Sequence, residues 1–436
     1  MTPRTRTKAS LLRASVAAAM AACSLATQAQ AATATTAPPV TASATSPLSL
    51  RQAFDAAWAR QPEAMALQAR RDAARAQQSA AKAWTPEPAA LELSTKTDRL
   101  GSNQGAREFE VGVAVPLWLP GERSSSAALA DAEGAATESR ATAAQLRVAA
   151  TVREAWWQWQ RARIEVGTAR DQLENARVIA ADVARRAKAG DLARADQHQT
   201  DGAVASAQAS LAQAEAGLAA ARQHLRALAG AAPASSGAAM TDVGSALAEP
   251  APDAAAADLQ SHAALQELKD RATVAERIVA LTATQSRANP ELMLASTRDR
   301  GARGDASQQT ITLGIRIPFG AGPRFDVRSA NARAEATEMQ AQLALERERL
   351  TAEGEAARVR VESSRTQLLA VERRAQLARE SRGFFDKSFR LGETDLPTRL
   401  RIEAEAAEAE RQAARTRIEL AAAISAWRQA LGLLPQ

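Results

Sequence analysis

The sequence has no tyrosine, a single cysteine, three histidines and only 3% aromatic residues among its 436. One thiol, Cys23, permits no disulfide within a chain, which excludes a small disulfide-stapled fold. So few aromatics argue against a large aromatic-rich core and leave closely packed, Ala-rich helices as the expectation. His198, His224 and His262 have no second His or Cys at metal-ligand spacing, so no metal centre is expected. Long hydrophobic runs are missing too. The apolar stretch from Ala14 to Leu25 is shorter than the roughly 20 residues a spanning helix needs. Any membrane contact must therefore come from strands or from a lipid. The net charge of +6 falls to 6 − 4 = 2 without Arg4, Arg6, Lys8 and Arg13, so no basic surface for nucleic acid is implied.

Those four basic residues, the apolar stretch behind them and Ala29-Gln30-Ala31 read as a signal peptide over 1–31, cleaved after Ala31. Lipidation at Cys23 is the alternative, but Met20 is a poor match to the aliphatic residue usual there. Residues 32–47 are Ala, Thr, Pro and Ser without periodicity and suit a flexible leader.

What the sequence does have is a repeat. Pro116 matches Pro318, Gly190 matches Gly392 and Gly230 matches Gly432, each at an offset of 318 − 116 = 202. A first unit over 48–230 and a second over 258–436 are separated by a Pro- and Gly-bearing linker, 231–257. Each unit reads as helix, two strands, a very long helix, a tight turn and a shorter helix. Strands are expected over about 89–97, 108–115, 291–298 and 309–317. In the second of these Phe109, Val111, Val113 and Val115 alternate with Glu108, Glu110, Gly112 and Ala114; in the fourth Ile311, Leu313, Ile315 and Ile317 alternate with Thr310, Thr312, Gly314 and Arg316. Pro116 and Pro318 open rigid strand-to-helix corners. No proline occurs from Ser124 to Lys188 or from Asp326 to Arg390, so each stretch can be one helix close to 100 Å long at about 1.5 Å per residue. Trp156, Trp157 and Trp159 fall at the midpoint of the first, (124 + 188)/2 = 156, as helix-packing core.

Four strands at the end of such a rod have no second layer to cover them, and four cannot close a barrel. If they span a bilayer, several copies must share one barrel. Three copies, giving 3 × 4 = 12 strands, make the smallest open tube, because barrels of about eight strands are filled inside.

The duplicated strand, strand, long helix, turn, helix unit resembles the TolC-type outer-membrane efflux proteins over about Leu48 to Gln436. Val115-Pro116-Leu117, Ile317-Pro318-Phe319 and the run Ser388-Phe389-Arg390-Leu391-Gly392-Glu393 carry the likeness. The resemblance implies a mainly α fold with a small β part: a homotrimer with a 12-stranded outer-membrane barrel continuous with a periplasmic α-helical barrel. It implies an efflux conduit working with a periplasmic adaptor (membrane fusion protein) and an inner-membrane pump. The turns Gly190, Asp191, Leu192 and Gly392, Glu393, Thr394, Asp395, Leu396 would then meet the adaptor. Asp196, Thr398, Arg399 and Arg401 would line the entrance, the last three in place of acidic residues common in the family. The first tip and compact C-terminus are similar to the branch serving heavy-metal or cation pumps, although four scattered methionines, Met65, Met240, Met293 and Met339, supply no metal relay. The rival reading is a periplasmic coiled-coil adaptor, which would carry one hairpin between larger β-rich modules.

No catalytic or cofactor-binding residue is expected. Glu346, Glu348, Glu353 and Glu355, interleaved with Arg347 and Arg349, form a solvated ion-paired helix face. Gly320-Ala321-Gly322 precedes Pro323 and is a corner, not a phosphate loop.

Overall fold

The structure, a computed structural model, describes residues 49–101, 103–230, 249–253, 259–320 and 322–436. The expected signal segment, the leader, Cys23 and most of the linker lie outside these residues. Among the described residues there are seven α-helices and four strands, forming one unit.

Helix α1 (Leu50–Ala59) starts at a reciprocal cap, in which the Ser49 hydroxyl accepts from the Gln52 amide and the Gln52 side chain accepts from the Ser49 amide. Pro62 ends that run and opens α2 (Pro62–Ala81), a position where a missing N–H costs nothing. Strands β1 (Ala90–Thr97) and β2 (Arg107–Pro116) follow, then α3 (Glu122–Ala189) and α4 (Arg194–Ala229). The second repeat supplies α5 (Ala263–Thr284), β3 (Glu291–Arg300), β4 (Gln308–Arg316), α6 (Gly322–Arg390) and α7 (Leu396–Ala430). The two long helices have 68 and 69 residues, each about 100 Å of rise. None of the described helices is long and apolar enough to cross a membrane.

The helices form a layer with open edges. α3 packs on α1, α2, α4, α5 and α7, whereas α6 packs along α5 and α7. Near the strands the order is therefore α2, α3, α5, α6; beyond the middle it is α4, α3, α7, α6. The core sits where the short helices meet. Phe54 of α1, Trp156 and Trp159 of α3, Leu225 of α4 and Ile418 of α7 share one buried cluster. The Trp156 and Trp159 rings lie 5.1 Å apart at 60°, the tilted contact that aromatic quadrupoles favour.

The linker contributes a pin to this waist. Glu249, 5% exposed, receives two hydrogen bonds from Arg153 of α3, at 3.1 and 2.9 Å. It also accepts from Ser425 and forms a 3.3 Å ion pair with Arg428, both on α7. Arg153 further donates to Gln429 at 2.5 Å and to the Leu433 carbonyl at 3.0 Å. One carboxylate thus joins the middle of the first repeat to the end of the second.

The strands form one antiparallel sheet in the order β1-β2-β3-β4. Register places Leu91 opposite Val113, Val113 opposite Leu294 and Leu294 opposite Leu313, so these side chains share a face. The constant repeat offset expected from sequence fails at one point. Val113 and Ile315 differ by 315 − 113 = 202, but their partners Leu91 and Leu292 differ by 292 − 91 = 201. One extra residue before β1 is balanced by one more in the β3–β4 turn. The slip is required, since a shift of one residue would move every leucine of the strand to the other face.

Candidate functional site

The residues singled out by the sequence fall in three regions of the unit: the sheet, the corners beneath it and the two helix tips at the far end.

The sheet is a single layer with two unlike faces. One carries Leu91, Leu93, Phe109, Val111, Val113, Leu294, Ile311, Leu313 and Ile315, and none of the described residues covers it. Leu91 is 66% exposed, Ile311 73% and Leu313 71%. The other face carries Glu92, Glu108, Glu110, Glu291 and Asp299 against Lys96 and Arg316, a balance of 2 − 5 = −3 per chain. Lys96 pairs with Glu108 at 2.8 Å and Arg316 with Glu291 at 3.6 Å. Exposed apolar area on this scale marks an interaction surface.

The corners differ. Pro116 ends β2, and behind it the Leu117 amide donates to the Pro290 carbonyl at 2.7 Å. Gly121, at φ +80°, turns the chain into α3. Glu122, 2% exposed, accepts from the Leu119 amide at 3.0 Å and from Gln285 and Asn289 at 2.8 Å each, so all its partners are in hand. Trp118 donates its indole N–H to the Ala83 carbonyl at 3.2 Å. Among the described residues the Pro318 corner shows no such lock, and Phe319 there is 88% exposed; Trp84, at the end of the α2 connection, is 94% exposed.

At the far end, α3 and α6 stop in the same way. The Gly190 amide donates to the Ala187 carbonyl and the Asp191 amide to Arg186; Gly392 donates to Phe389 and Glu393 to Ser388. Both glycines have positive φ, +90° and +81°, as this helix ending requires. Thr394 hydrogen-bonds the Ser388 hydroxyl at 2.6 Å. Asp395 caps α7 by accepting from the Thr398 amide at 3.2 Å, and Thr398 hydrogen bonding holds its carboxyl below the usual range. Leu396 and Phe389 are buried with Ile179 and Val183, and Leu192 packs against them, so the two tips form one body. Asp196, at the start of α4, accepts from the Ala193 amide at 3.0 Å.

Arg399 has a structural partner set. Its guanidinium pairs with Asp386 at 2.6 Å and Asp182 at 3.6 Å, which come from α6 and α3. It also lies over the Phe389 ring at 4.6 Å, while Arg186 covers the ring at 4.8 Å and donates to the Phe389 carbonyl at 3.1 Å. Sequence reasoning missed Arg186, Asp182 and Asp386; only the Phe389 run had been singled out. Arg401 is exposed and pairs with Glu405 one turn on at 2.6 Å. Nearby, burial is the main influence on Glu403 and raises its carboxyl above the usual range, with Arg382 and Arg399 opposing. Among the described residues no group of His, Cys, Asp and Glu is arranged to hold a metal.

A duplicated, open-edged helix layer with a one-layer sheet at its end is also found in solved structures of outer-membrane proteins. Residues 53–231 match the family model described as outer membrane efflux protein. No curated protein matches the sequence. Among solved structures, the outer membrane protein VceC of Vibrio cholerae superposes with TM-score 0.69 at 17% identity, covering 88% of this chain and 96% of that one. The Campylobacter jejuni CmeC outer membrane channel gives 0.69 at 14% identity, covering 91% and 90%. The open-state Neisseria gonorrhoeae MtrE outer membrane channel gives 0.69 at 15%, covering 88% and 89%. The chain therefore carries the outer-membrane efflux family signature over its first repeat and the TolC-type fold over both.

Proposed function

We propose that the protein is the outer-membrane channel of a tripartite efflux system, three copies closing a 3 × 4 = 12-stranded barrel above a tunnel of helices in the periplasm. The observation that carries this is the uncovered apolar face of the sheet, which water cannot favour and a bilayer can. Its open edges, β1 and β4, need partners in hydrocarbon. The repeat supports further copies of the chain as their source. Leu345, Val359 and Leu369 of α6 are 66%, 55% and 72% exposed. Their equivalents 202 residues earlier, Ala143, Trp157 and Gly167, are buried on α3. What α3 finds within the chain, α6 would find on another copy. Ala143 packs with Ala263, so Leu345 would lie near Gln61 of the next copy, since 263 − 202 = 61. With the offset of 201 that holds between β1 and β3, β2–β3 pairing would recur between copies, with Ile315 opposite the next Leu93, since 294 − 201 = 93.

The acidic inner face of the sheet favours cationic solutes, metal cations among them, over anions. The joined tips would seat the adaptor through Gly190, Asp191, Leu192, Gly392, Glu393, Thr394, Asp395 and Leu396. Arg399, by clasping Asp182 and Asp386, would hold the two hairpins of one copy in register at the entrance, flanked by Asp196, Thr398 and Arg401. The chain does no covalent chemistry on this reading. The test is fractionation of the envelope with unboiled electrophoresis, together with the double variant Leu345→Cys, Gln61→Cys. Oxidation should give cross-linked trimers in the outer-membrane fraction; a soluble periplasmic monomer would overturn the channel. Unchanged conductance and selectivity of Arg401→Asp in bilayers would remove Arg401 from the gate. Export assays with zinc, cobalt, cadmium, copper and hydrophobic drugs should show metal sensitivity on deletion, and sensitivity to drugs alone would reject the metal cargo.

A further inference from the structure

We infer that the outward face of the sheet carries a binding site for phosphate-bearing lipid head groups, formed by Arg107, Arg298 and Arg300. The inference rests on the reading of the sheet as membrane-spanning. Arg107 stands directly opposite Arg300, and Phe109 opposite Arg298, so all three guanidinium groups share the apolar face. Like charges placed directly across a strand pair repel and destabilise it unless an anion lies between them. None is supplied by the chain: among the described residues the ion pairs of the sheet are Lys96–Glu108 and Arg316–Glu291, both on the opposite face. Arg300 donates to the Gly105 carbonyl at 3.3 Å, yet its Nε is buried without a partner. Arg303 follows in the adjoining turn, and its backbone N–H donates a hydrogen bond to the Gln104 carbonyl at 2.9 Å, tying that turn to the first hairpin.

The carboxylates at this end are otherwise engaged. Asp98 accepts from the Gly105 amide and Asp305 from the Ala302 amide, holding the two turns, and Asp299 points to the inner face. Position along the strand then selects the occupant. From Val115 to Phe109 the outward face of β2 is apolar for six residues, about 20 Å at about 3.4 Å per residue. The arginines begin where that band ends, on the side away from the helices, which is the height of head groups in the outer leaflet. At the other end of the same face, Val115, Leu292 and Ile315 carry no charge. A guanidinium fork matches a phosphate with two parallel hydrogen bonds, and a lipid also fills the apolar face below, which free phosphate does not.

The test places the purified full chain in phosphatidylcholine nanodiscs containing phosphatidic acid and measures retained lipid by mass spectrometry. Wild type should retain phosphatidic acid over phosphatidylcholine by on the order of tenfold, the ratio that one or two charge-assisted hydrogen bonds carry. Arg107→Gln with Arg298→Gln and Arg300→Gln should abolish the preference, and the corresponding Lys variant should keep part of it. Inorganic phosphate should not displace the lipid; if it does, the site is one for free anions and the lipid is excluded. A chain that enters the discs but holds both lipids alike overturns the head-group site alone. A chain that never enters any bilayer overturns the membrane reading with it.

Discussion

The two long helices have nearly the same length and equivalent places in the repeat, yet their surroundings are opposite. α3 buries Val152, Trp156, Trp157, Val166, Leu173 and Val183, among others, along its whole run. α6 buries only Ala332, Ala336, Leu350, Val361, Ala375 and Phe389. The difference is not one of hydrophobic content alone, because Leu345, Val359, Leu369, Leu377 and Phe384 are apolar and stand exposed on α6. Burial in a single copy therefore reports position in the layer, centre against edge. The exposed apolar residues of α6 measure what a neighbouring copy would cover in the proposed trimer.

The comparison breaks hardest at the waist. Trp156→Ala should lose about 3–5 kcal/mol from a single copy, because a fully buried indole leaves a cavity that surrounding helices fill only in part. Chemical denaturation in detergent measures it. Glu249→Ala should cost a comparable ~3–5 kcal/mol, since Arg153 and Arg428 would remain buried without their anion, and Glu249→Gln should cost less. An unfolding midpoint unchanged by Glu249→Ala would show that the linker is not part of the waist. Val359→Asp together with Leu369→Asp should change the folding of one copy within about 0.5 kcal/mol, as exposed substitutions do, while the unboiled trimer band disappears. Loss of secondary structure instead would mean that α6 is covered from within its own chain.

The smallest effect is one of pH. Burial, the main influence, lowers the His262 pKa from 6.5, with Glu346 and Glu353 opposing and Arg349 assisting. The folded state then binds fewer protons than the unfolded state below pH 6.5, so stability should fall as pH drops from 6.5 through the folded value. Its Nδ1 accepts from the Ala264 amide at 3.3 Å, a bond that protonation there would break. His262→Asn keeps a capping acceptor and should flatten this part of the pH profile of the melting temperature. Glu403 works in the opposite sense. With its folded pKa raised, the folded state holds more protons, so stability contributed there is present at low pH and lost as pH rises through that value. Glu403→Gln should remove that slope.

Much of this fold is legible in the sequence because it is written twice. Alternation of Phe109 to Val115 and of Ile311 to Ile317, and two proline-free runs, define sheet and rods without any tertiary information. Gly190 and Gly392 can be assigned because a helix ending at positive φ has few other solutions. What stays hidden depends on distance in sequence. Glu249 sits in an Ala- and Pro-rich linker, and its partners are 249 − 153 = 96 and 425 − 249 = 176 residues away. Arg399 reads from the resemblance as an entrance residue because Asp182 lies far up the chain on the other hairpin. Nor does local composition show that Arg107 and Arg300 face each other, since that follows from the register of strands in different repeats.

The one-residue slip in β1 has a practical side for anyone who would recombine the two halves of the gene. A graft of 291–300 into the first repeat by the count of 202 would set Leu292 at position 90 and Leu294 at position 92, turning leucine toward the acidic face of the sheet and acids toward the apolar one. The same graft made by the count of 201 leaves every side chain on its own side, so interchange of the hairpins succeeds or fails on a single codon.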